Sequence, residues 1–487
     1  MNARELLDAL LAPESFRSWD VPAVHVGPDP AYAAELAAAR DRTGLDESVV
    51  TGEGRIGGHR VAVAASEFGF LGGSIGVAAG ERLTRAVEQA TASRLPLIAL
   101  PASGGTRMQE GTVAFLQMVK ITAAVTAHRA ARLPYLVYLR HPTTGGVFAS
   151  WASLGHLTLA EPGALIGFLG PRVYEALHGA PFPAGVQTAE HLAAHGLVDA
   201  VIGPDQLGGL VARVLDALTA APAPAAGQEA GPGAAPETSD AWAAVQRTRR
   251  PGYPAARDLI AAAATDVVTI RAGSVILALA RIGGFPVVLA AQDRHAPPPG
   301  PDALRVARRG IGLAAELGLP LVTVIDTPGG ELSAEAEEGG LAGQIAHALA
   351  ELLALPVPTV SVLLGRGTGG AALALLPADR TVAAADAWLA PLAPEGASAI
   401  VHRDTGHAAE LANRQGIGAI DLAAHGVVDE VITGAEPGEL TRALGRAVHR
   451  ALAGLTAEEA GSRQAARTRR YRHLAGVPAV EQKRHRD

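Results

Sequence analysis

The feature of this sequence that most constrains its fold is an internal duplication. Segments beginning at residues 55, 95, 133 and 191 return, in the same order, at residues 281, 319, 357 and 421. RIGGHRVAVAAS becomes RIGGFPVVLAAQ, for example, and HLAAHGLVDAVI becomes DLAAHGVVDEVI. Any one pair of apolar segments can match by chance, but four collinear pairs at offsets of 224 to 230 residues indicate a repeated domain. The sequence therefore predicts two like domains in tandem.

The two predicted domains are separated by a segment with almost nothing to bury. Residues 221–240, APAPAAGQEAGPGAAPETSD, have the composition of a linker. We place the first domain at residues 1–220 and the second at 241–455, and 487 residues are enough for two large cores. Residues 456–487 form a basic C-terminal tail, which we interpret as a solvated helix with a frayed end and to which we assign no binding role.

Composition excludes several classes of protein. A net charge of −7 gives no general attraction to phosphate backbones, so nucleic acid is not expected as a partner. The absence of cysteine removes disulfides, thiol nucleophiles and cysteine-ligated zinc. The N-terminus MNARELLDALLAPESF places acids among its apolar residues, which predicts a short amphipathic helix and not a secretory signal. No apolar stretch is long enough to span a bilayer, so we expect no membrane and a cytoplasmic location.

Glycine pairs follow the predicted strands of both halves. The short apolar runs PLIAL, PYLVYL, PLVTVI and TVSVLL lead through glycines into helix-like segments, which is typical of an α/β fold. The pairs are Gly104 and Gly105, Gly145 and Gly146, Gly329 and Gly330, and Gly369 and Gly370. A glycine turn between strand and helix can present backbone N–H groups to an anion or a developing oxyanion. Alternatively, the pairs only tighten turns.

Other catalytic motifs find little support. GGSIG at residues 72–76 matches a serine nucleophile motif, but without an identifiable partner Ser74 is interpreted as a turn residue. HRD at residues 402–404 lacks the other kinase motifs, and no dinucleotide or Walker glycine motif follows a strand. His141 is expected to pack locally. Asp326 is expected to fix its turn through local hydrogen bonds, slightly in preference to a catalytic role. No cluster supports a metal site.

Longer motifs carry a family resemblance. FGFLGGSIGVAAGERLTRAVEQAT, SGGTRMQEGTVAFLQMVK, YLRHPTTGGVFASWASLG and EPGALIGFLGPRVYE closely resemble the carboxyltransferase β subunit of bacterial acetyl-CoA carboxylase. WAAVQRTRRPGYPAARDLI, LPLVTVIDTPGG, GTGGAALAL and APEGASAIVHRD resemble its α subunit. The resemblance covers most of residues 45–205 and 240–435. It implies a β–α fusion with two tandem crotonase (ClpP-like) domains, built of ββα-type superhelical units.

The resemblance also implies a reaction. In this family carboxybiotin on a separate carrier protein releases its carboxyl group, and the biotin takes the α-proton of acetyl-CoA. The enolate then attacks CO2 to give malonyl-CoA, which leads into fatty acid biosynthesis. Gly104 and Gly105 would hold the enolate oxygen, whereas Gly369 and Gly370 would hold the ureido oxygen of biotin, with Gly370 and Ala371 as the alternative pair. No metal is implied. Further substrate contacts would come from Gly72, Gly73, Arg107, Gly145, Gly146, Gly329 and Gly330.

The implied partners are proteins and a thioester. Methionine occurs only at Met1, Met108 and Met118, so the Ala-Met-Lys-Met biotinylation motif is absent. A biotin carboxyl carrier protein and a biotin carboxylase are therefore expected as separate chains, with acetyl-CoA and malonyl-CoA as ligands. Family sites form between halves of different protomers, which implies a homo-oligomer, either a dimer or a larger ring.

The sequence departs from the family pattern in several places. The four-cysteine zinc ribbon of the β subunit is missing. In the second half QDRHAPPPGPD replaces a basic loop, and GELSAEAEEGG replaces the Ala-Tyr-Pro-Gly after TPG, with Arg294 and Arg305 remaining nearby. Arg107 has two interpretations, orienting substrate or pairing with a neighbouring acid. Two other functions also stay open: a biotin-independent malonyl-thioester decarboxylase and a non-catalytic scaffold of a carboxylase complex.

Overall fold

The structure, a computed structural model, describes residues 1–25, 29–219 and 240–472. The chain divides into two compact units, Met1–Leu215 and Asp216–Asp487. The predicted linker, residues 221–240, lies outside the described residues except for Asp240. The carboxylate of Asp240 accepts a hydrogen bond from the Ala243 N–H (3.0 Å) and so caps the first helix of the second unit.

The first unit contains nine strands and eight helices within its described residues. The strands are β1 (Arg17–Ser18), β2 (Val49–Ile56), β3 (His59–Ser66), β4 (Leu97–Leu100), β5 (Tyr135–Leu139), β6 (Thr143–Thr144), β7 (Leu157–Ala160), β8 (Ile166–Gly167) and β9 (Ala200–Val201). The helices are α1 (Ala3–Leu10), α2 (Pro30–Thr43), α3 (Val77–Ala92), α4 (Gly111–Ala130), α5 (Gly145–Phe148), α6 (Pro171–His178), α7 (Ala189–Ala194) and α8 (Pro204–Thr219).

The second unit contains eight strands and eleven helices in the part that the structure describes. The strands are β10 (Ala264–Arg271), β11 (Val275–Ile282), β12 (Phe285–Gln292), β13 (Leu321–Thr327), β14 (Thr359–Thr368), β15 (Arg380–Ala384), β16 (Trp388–Ala390) and β17 (Glu430–Ile432). The helices are α9 (Ala241–Thr248), α10 (Ala256–Ala263), α11 (Pro301–Leu317), α12 (Ala334–Glu338), α13 (Leu341–Ala354), α14 (Gly369–Leu373), α15 (Pro394–His402), α16 (Ala408–Arg414), α17 (Ala419–Ala424), α18 (Pro437–Thr456) and α19 (Ala460–Arg472).

The two units have the same sheet plan. The order is β1-β2-β3-β4-β5-β7-β9 in the first and β10-β11-β12-β13-β14-β15-β17 in the second. In each sheet the first three strands pair antiparallel and the later strands pair parallel. Every residue of β4 and β13 is buried, as expected for parallel strands covered by helices on both faces. Helices follow the parallel strands, so the predicted α/β class and the repeated ββα pattern are confirmed.

The repeated RIGG segments form matching hairpin turns. Gly57 and Gly58 have φ values of 56° and 89°, and Gly283 and Gly284 have 56° and 85°. Two consecutive positive φ angles define the tight turn that matches the twist of antiparallel strands, and glycine adopts them without steric cost. This first repeat is therefore a device for joining β2 to β3 and β11 to β12.

The N-terminal segment forms the predicted amphipathic helix. In α1 the side chain of Asn2 accepts a hydrogen bond from the Glu5 N–H (2.8 Å), while Glu5 accepts one from the Asn2 N–H (2.9 Å). These reciprocal bonds satisfy two amides that the helix leaves free. Leu6, Leu7 and Leu10 are buried beneath it. Among the described residues, no helix is both long and apolar enough to cross a membrane.

The interpretation of the C-terminal tail as solvated is wrong for its first part. Helix α19 packs against the second unit, and its Arg463 and Arg467 are only 6% and 2% exposed. The Arg467 guanidinium pairs with the carboxylate of Asp379 (Nε–Oδ1 2.9 Å, Nη2–Oδ2 2.8 Å). It also donates to the carbonyls of Leu355 and Val357. These acceptors lie far away in the sequence, so the charge run alone gave no sign of them. Residues 473–487 lie outside the described residues.

Candidate active site

Three loops lie side by side at the carboxyl ends of the parallel strands in the first unit. The Gly104 N–H donates to the Gly72 carbonyl (2.9 Å), and the Ser103 N–H donates to the Pro142 carbonyl (2.7 Å). The Thr144 N–H returns a bond to the Ser103 carbonyl (2.9 Å). The structure therefore brings together two of the predicted glycine pairs, those at 104–105 and 145–146, and the predicted contact residues Gly72 and Gly73.

Close backbone approach explains why two of these positions are glycine. A Cβ atom on Gly73 would sit well inside the contact distance of the Ala102 carbonyl oxygen. Gly105 has a φ of 108°, and a Cβ there would lie 3.4 Å from the Gly146 nitrogen. Side chains would therefore separate these loops or strain their backbone.

The amides predicted to hold the enolate oxygen already have acceptors in this structure. Gly104 donates to Gly72, as above, and the Gly105 N–H donates to its neighbour Ser103 Oγ (3.0 Å). The Gly145 N–H donates to the Phe168 carbonyl (3.1 Å). Gly146 is the second residue of α5, and an amide in the first turn of a helix has no acceptor within that helix. Gly146 therefore differs from Gly104, Gly105 and Gly145, whose amides already donate to protein acceptors, and Gly105 packs beside it.

The second unit repeats this arrangement at equivalent positions. Gly369 and Gly370 open α14 as Gly145 and Gly146 open α5. The parallel ladder of β14 ends at Thr368, which pairs with Ala390, and Gly369 follows as the first residue of α14. Gly370 and Ala371 are the second and third residues of α14, so their amides belong to its first turn. Gly369 belongs to the same turn, so both pairs from the sequence, Gly369 with Gly370 and Gly370 with Ala371, stay predictions.

The remaining predicted pair lies next to this turn. A Cβ atom on Gly329 would lie 3.7 Å from Thr368 Cγ2, and one on Gly330 would lie 3.7 Å from Ala371 Cβ. The Gly329 N–H donates to Thr327 Oγ1 (3.2 Å). Gly329 and Gly330 therefore shape the backbone beside α14.

Arg107, for which the sequence left substrate contact and an ion pair open, has no exposed side-chain surface. Its side chain is fully buried and forms a two-pronged ion pair with Glu47, also fully buried. It donates further to Ser48 Oγ (3.1 Å) and to the Ser74 carbonyl (2.8 Å). Burial alone would lower the pKa of Arg107, but the carboxylate of Glu47 raises it above its usual value. The alternative interpretation, an ion pair with a neighbouring acid, describes Arg107 correctly.

A second buried ion pair lies below the glycine loop of the second unit. Asp326 is buried at the end of β13 and pairs with Arg294 (Nε–Oδ2 2.5 Å, Nη2–Oδ1 2.8 Å). Its carboxylate also accepts the Arg366 N–H (3.1 Å). Asp326 has a structural role, but the prediction that its hydrogen bonds are local is wrong, because Arg294 and Arg366 lie 32 and 40 residues away in the sequence. Arg305, the other arginine noted in the sequence, pairs with Asp302 and donates to the Gly339 carbonyl.

The other polar candidates have local partners. The Nδ1 atom of His141 accepts the Leu165 N–H (3.1 Å), in keeping with its expected packing role. Sequence reasoning missed Glu47 and Tyr32, which contact Arg107 from 60 and 75 residues away and carry no motif of their own. Among the described residues, no group of three or more His, Asp and Glu side chains could hold a metal ion.

Comparison with solved structures defines the class of fold. The chain superposes on the crystal structure of transcarboxylase 12S with methylmalonyl-coenzyme A and methylmalonic acid bound, with a TM-score of 0.75. The match is 24% identical and covers 94% of this chain and 90% of that chain. A single-chain, multi-domain long-chain acyl-CoA carboxylase matches with a TM-score of 0.71 and 21% identity, over 93% of this chain and 46% of that one. The chain thus has the fold of these two structures.

Sequence comparison then identifies the family. The carboxyl transferase domain model matches residues 2–482. A probable biotin-dependent acyl-coenzyme A carboxylase beta3 subunit of Mycobacterium tuberculosis is 58% identical over 97% of this chain and 98% of its own length. The acetyl-coenzyme A carboxylase carboxyl transferase subunits beta/alpha of Salinispora arenicola are 39% identical over 82% of this chain and 76% of their length. The chain belongs to the carboxyl transferase family, so the resemblance seen in its motifs is confirmed at that level.

Proposed function

We propose that this chain is the carboxyltransferase of a biotin-dependent acyl-CoA carboxylase and that it converts acetyl-CoA to malonyl-CoA. The observation that carries the proposal is the repeated geometry of the two units. In each, a glycine pair opens a short helix at the carboxyl end of a strand, and a second glycine loop packs against it. Such amides suit a reaction in which two different oxygens gain negative charge.

The first unit would stabilise the thioester oxygen. Removing the α-proton of an acyl-CoA places negative charge on that oxygen, and the Gly146 N–H would donate to it. The packed backbone of Gly104 and Gly105 keeps side chains away from the same place. Losing one such donor typically costs a factor of about 10² to 10³ in kcat.

The second unit would hold the biotin that the carrier protein delivers. Biotin would supply the transferable carboxyl group and the base for the α-proton. The Gly370 and Ala371 amides would donate to its ureido oxygen, and Gly329 and Gly330 would leave room beside them. Backbone donors in a first helical turn fit a neutral acceptor that becomes more basic during the reaction.

Acetyl-CoA is proposed as the acyl acceptor because the Salinispora relatives are named as acetyl-coenzyme A carboxylase subunits. The Mycobacterium relative is named more broadly, as an acyl-coenzyme A carboxylase subunit. Propionyl-CoA is therefore the comparison substrate. A higher kcat/KM for propionyl-CoA than for acetyl-CoA would overturn the choice of acceptor while leaving the reaction class intact.

A biotin carrier, a biotin carboxylase and further copies of this chain are the proposed partners. The transcarboxylase 12S structure is described as a hexamer assembly, which supports self-association here. Apolar side chains exposed on α4 also support it: Val113, Phe115, Leu116 and Val119. Exposed apolar groups on one face of a helix are typical of protein interfaces. A mass measured in solution equal to one chain would contradict this part of the proposal.

The reaction can be tested in reverse with the purified chain, malonyl-CoA and free biocytin, by measuring acetyl-CoA. Biocytin-dependent turnover is expected. Turnover without biocytin would indicate a decarboxylase, and no turnover with either would indicate a scaffold.

A matched pair of variants tests the donor. Gly146→Pro removes the N–H, at a position near the start of a helix where proline is tolerated. Gly146→Ala keeps the N–H but adds a Cβ atom 3.3 Å from Met118 Cγ. We expect Gly146→Pro to be at least tenfold slower than Gly146→Ala. Equal rates in the two folded variants would remove this amide from the mechanism.

A further inference from the structure

A buried polar cluster lies beneath the glycine loops of the first unit. Arg107 donates to both carboxylate oxygens of Glu47, at 2.9 Å from Nη1 to Oε2 and more closely from Nη2 to Oε1. It donates to Ser48 Oγ (3.1 Å), to the Ser74 carbonyl (2.8 Å) and to Ser74 Oγ (3.2 Å). The Tyr32 hydroxyl accepts a longer bond from Nη1 (3.3 Å). All the nitrogens of this guanidinium are thus committed to protein partners.

Stability alone does not account for this cluster. Burying two full charges carries a large desolvation cost, and well-packed apolar residues of similar size often replace such a pair with no loss of stability. Burial alone would raise the pKa of Glu47, yet the hydrogen bonds and charge of Arg107 hold it below its usual value, so the pair is ionised. A buried ion pair does offer fixed geometry, because each guanidinium N–H donates only within a narrow range of directions.

Arg107 fixes two loops at once. Its side chain holds the carbonyl of Ser74, and its own N–H donates to the Ile75 carbonyl (3.0 Å). In return the Ile75 N–H donates to the Gly105 carbonyl (2.9 Å). Because Gly105 packs directly on the backbone of Gly146, a shift of either loop would move the surroundings of the proposed donor.

Tyr32 ties helix α2 to the same point. Its hydroxyl donates to Glu110 Oε1 (2.5 Å) while accepting from Arg107. The other carboxylate oxygen of Glu110 accepts the N–H of Val77, the first residue of α3 (2.5 Å). Deleting this one hydroxyl would loosen the connection between α2, α3 and Arg107, yet leave the ion pair with Glu47 in place.

The second unit builds the equivalent loop differently. After Gly330 the chain continues with Glu331, whose N–H donates to the Pro299 carbonyl (3.1 Å), and with Leu332, which is 99% exposed. Where the first unit places a buried arginine after its glycine pair, the second therefore places a glutamate and an exposed leucine. The hydrogen bonds of Arg107 therefore fix loops of the first unit only, among the described residues.

We propose that Arg107, held by Glu47 and Tyr32, is a positioning residue for the thioester side of the reaction. It contacts no substrate and acts by fixing residues 72–75 and 103–107 against Gly146. The inference rests on the proposed function, which assigns the thioester to the first unit and biotin to the second. Its consequence is selective: loosening the cluster lowers kcat and leaves the KM for the biotin substrate unchanged.

Two variants and one control test this inference. Tyr32→Phe removes the bridging hydroxyl, and Arg107→Lys removes the two-pronged geometry while keeping the charge. Tyr138→Phe is the matched control, because it removes another hydroxyl of the first unit, which donates to the Ile202 carbonyl (3.0 Å). The measurements are kcat, the KM values for malonyl-CoA and biocytin, and hydrogen–deuterium exchange of peptides covering residues 72–76 and 103–107.

We expect kcat to fall about tenfold in Tyr32→Phe and about 100-fold in Arg107→Lys, as for small misplacements of reacting groups. Exchange in both loops should rise, and the KM for biocytin should stay within about twofold. Tyr138→Phe should match the wild type in every measurement. Folded Tyr32→Phe protein with unchanged kcat and unchanged loop exchange would overturn the inference, even if Arg107→Lys failed to fold. An inactive wild type would instead refute the proposed function, and the exchange data would still decide whether the cluster positions the loops.

Discussion

Replacing Arg467 should destabilise the second unit strongly, although this residue lies in a basic segment near the end of the chain. Its side chain is 1% exposed, and its guanidinium bonds the Asp379 carboxylate through two nitrogens. It also donates to the carbonyls of Leu352 (2.5 Å), Leu355 (2.9 Å) and Val357 (3.2 Å). Arg467→Met removes the charge and all of these donors but keeps most of the side-chain volume.

The expected loss follows from what the substitution leaves behind. The carboxylate of Asp379, 3% exposed, keeps the Thr359 N–H (2.8 Å) and hydroxyl (3.0 Å) as donors but loses its countercharge. Removing one partner of a buried ion pair typically costs about 3–5 kcal/mol. Because methionine fills similar space, little of this cost comes from a cavity. We therefore expect a loss of about 3–5 kcal/mol, which at a urea dependence of about 2–3 kcal/mol/M lowers the unfolding midpoint by about 1–2.5 M.

The assay is urea unfolding followed by tryptophan fluorescence, with Arg469→Met as the control. Arg469 lies on the same helix, α19, two residues away, and is exposed. Its substitution removes the same charge, and we expect a change within about 0.5 kcal/mol. Equal losses in the two variants would show that the charge of α19, and not the buried pair with Asp379, determines stability, and would refute this reasoning.

Three further predictions follow from the structure. Gly73→Ala should destabilise by more than Gly58→Ala, measured by thermal unfolding, because both sites have positive φ at a cost of about 1–2 kcal/mol, but only at Gly73 does the Cβ meet a carbonyl oxygen. Ala371→Pro, which removes an N–H and adds no Cβ, should raise the KM for biocytin or lower kcat, whereas Ala371→Ser should not; equal kinetics would exclude this amide as a donor. Burial, with the nearby Arg129 and His128 charges, lowers the pKa of His156 to about 3. In the unfolded chain this histidine has its ordinary pKa of about 6.5 and binds a proton as the pH falls below that value, whereas in the folded chain it stays neutral. The free energy of unfolding should therefore fall by about 1.5–2 kcal/mol between pH 6.5 and pH 5. His156→Asn should reduce this dependence of stability on pH, because asparagine does not titrate. Its amide oxygen still provides an acceptor for the Tyr135 N–H.

The sequence was sufficient to predict the parts of the fold that depend on local pattern. The duplication, the strand–glycine–helix order and the RIGG hairpins follow from spacing and from the few backbone angles that glycine alone adopts freely. The glycine pairs also fell where the structure has its turns, because a parallel strand needs a tight exit at its carboxyl end. Local geometry of this kind depends on a few adjacent residues and can therefore be predicted from them.

The pairing of polar groups could not be predicted in the same way. Which amide is free depends on acceptors such as Gly72 for Gly104, 32 residues away, and no local pattern reveals them. Arg107 looked equally suited to a ligand or to an acid until Glu47 was placed beside it. Arg467 looked like a solvated charge because its partner Asp379 lies 88 residues earlier. In each case the role of a donor is set by an acceptor that lies far away in the sequence.

The docking of α19 has a practical consequence for dividing the chain. A fragment that stops at residue 455, where sequence pattern alone would end the second domain, would leave the carbonyls at the end of α13 without their arginine donors. It would also leave Asp379 buried with no countercharge. Any expression boundary for the second unit therefore belongs beyond Arg472, and fusion tags at this end need a spacer that keeps α19 free to dock.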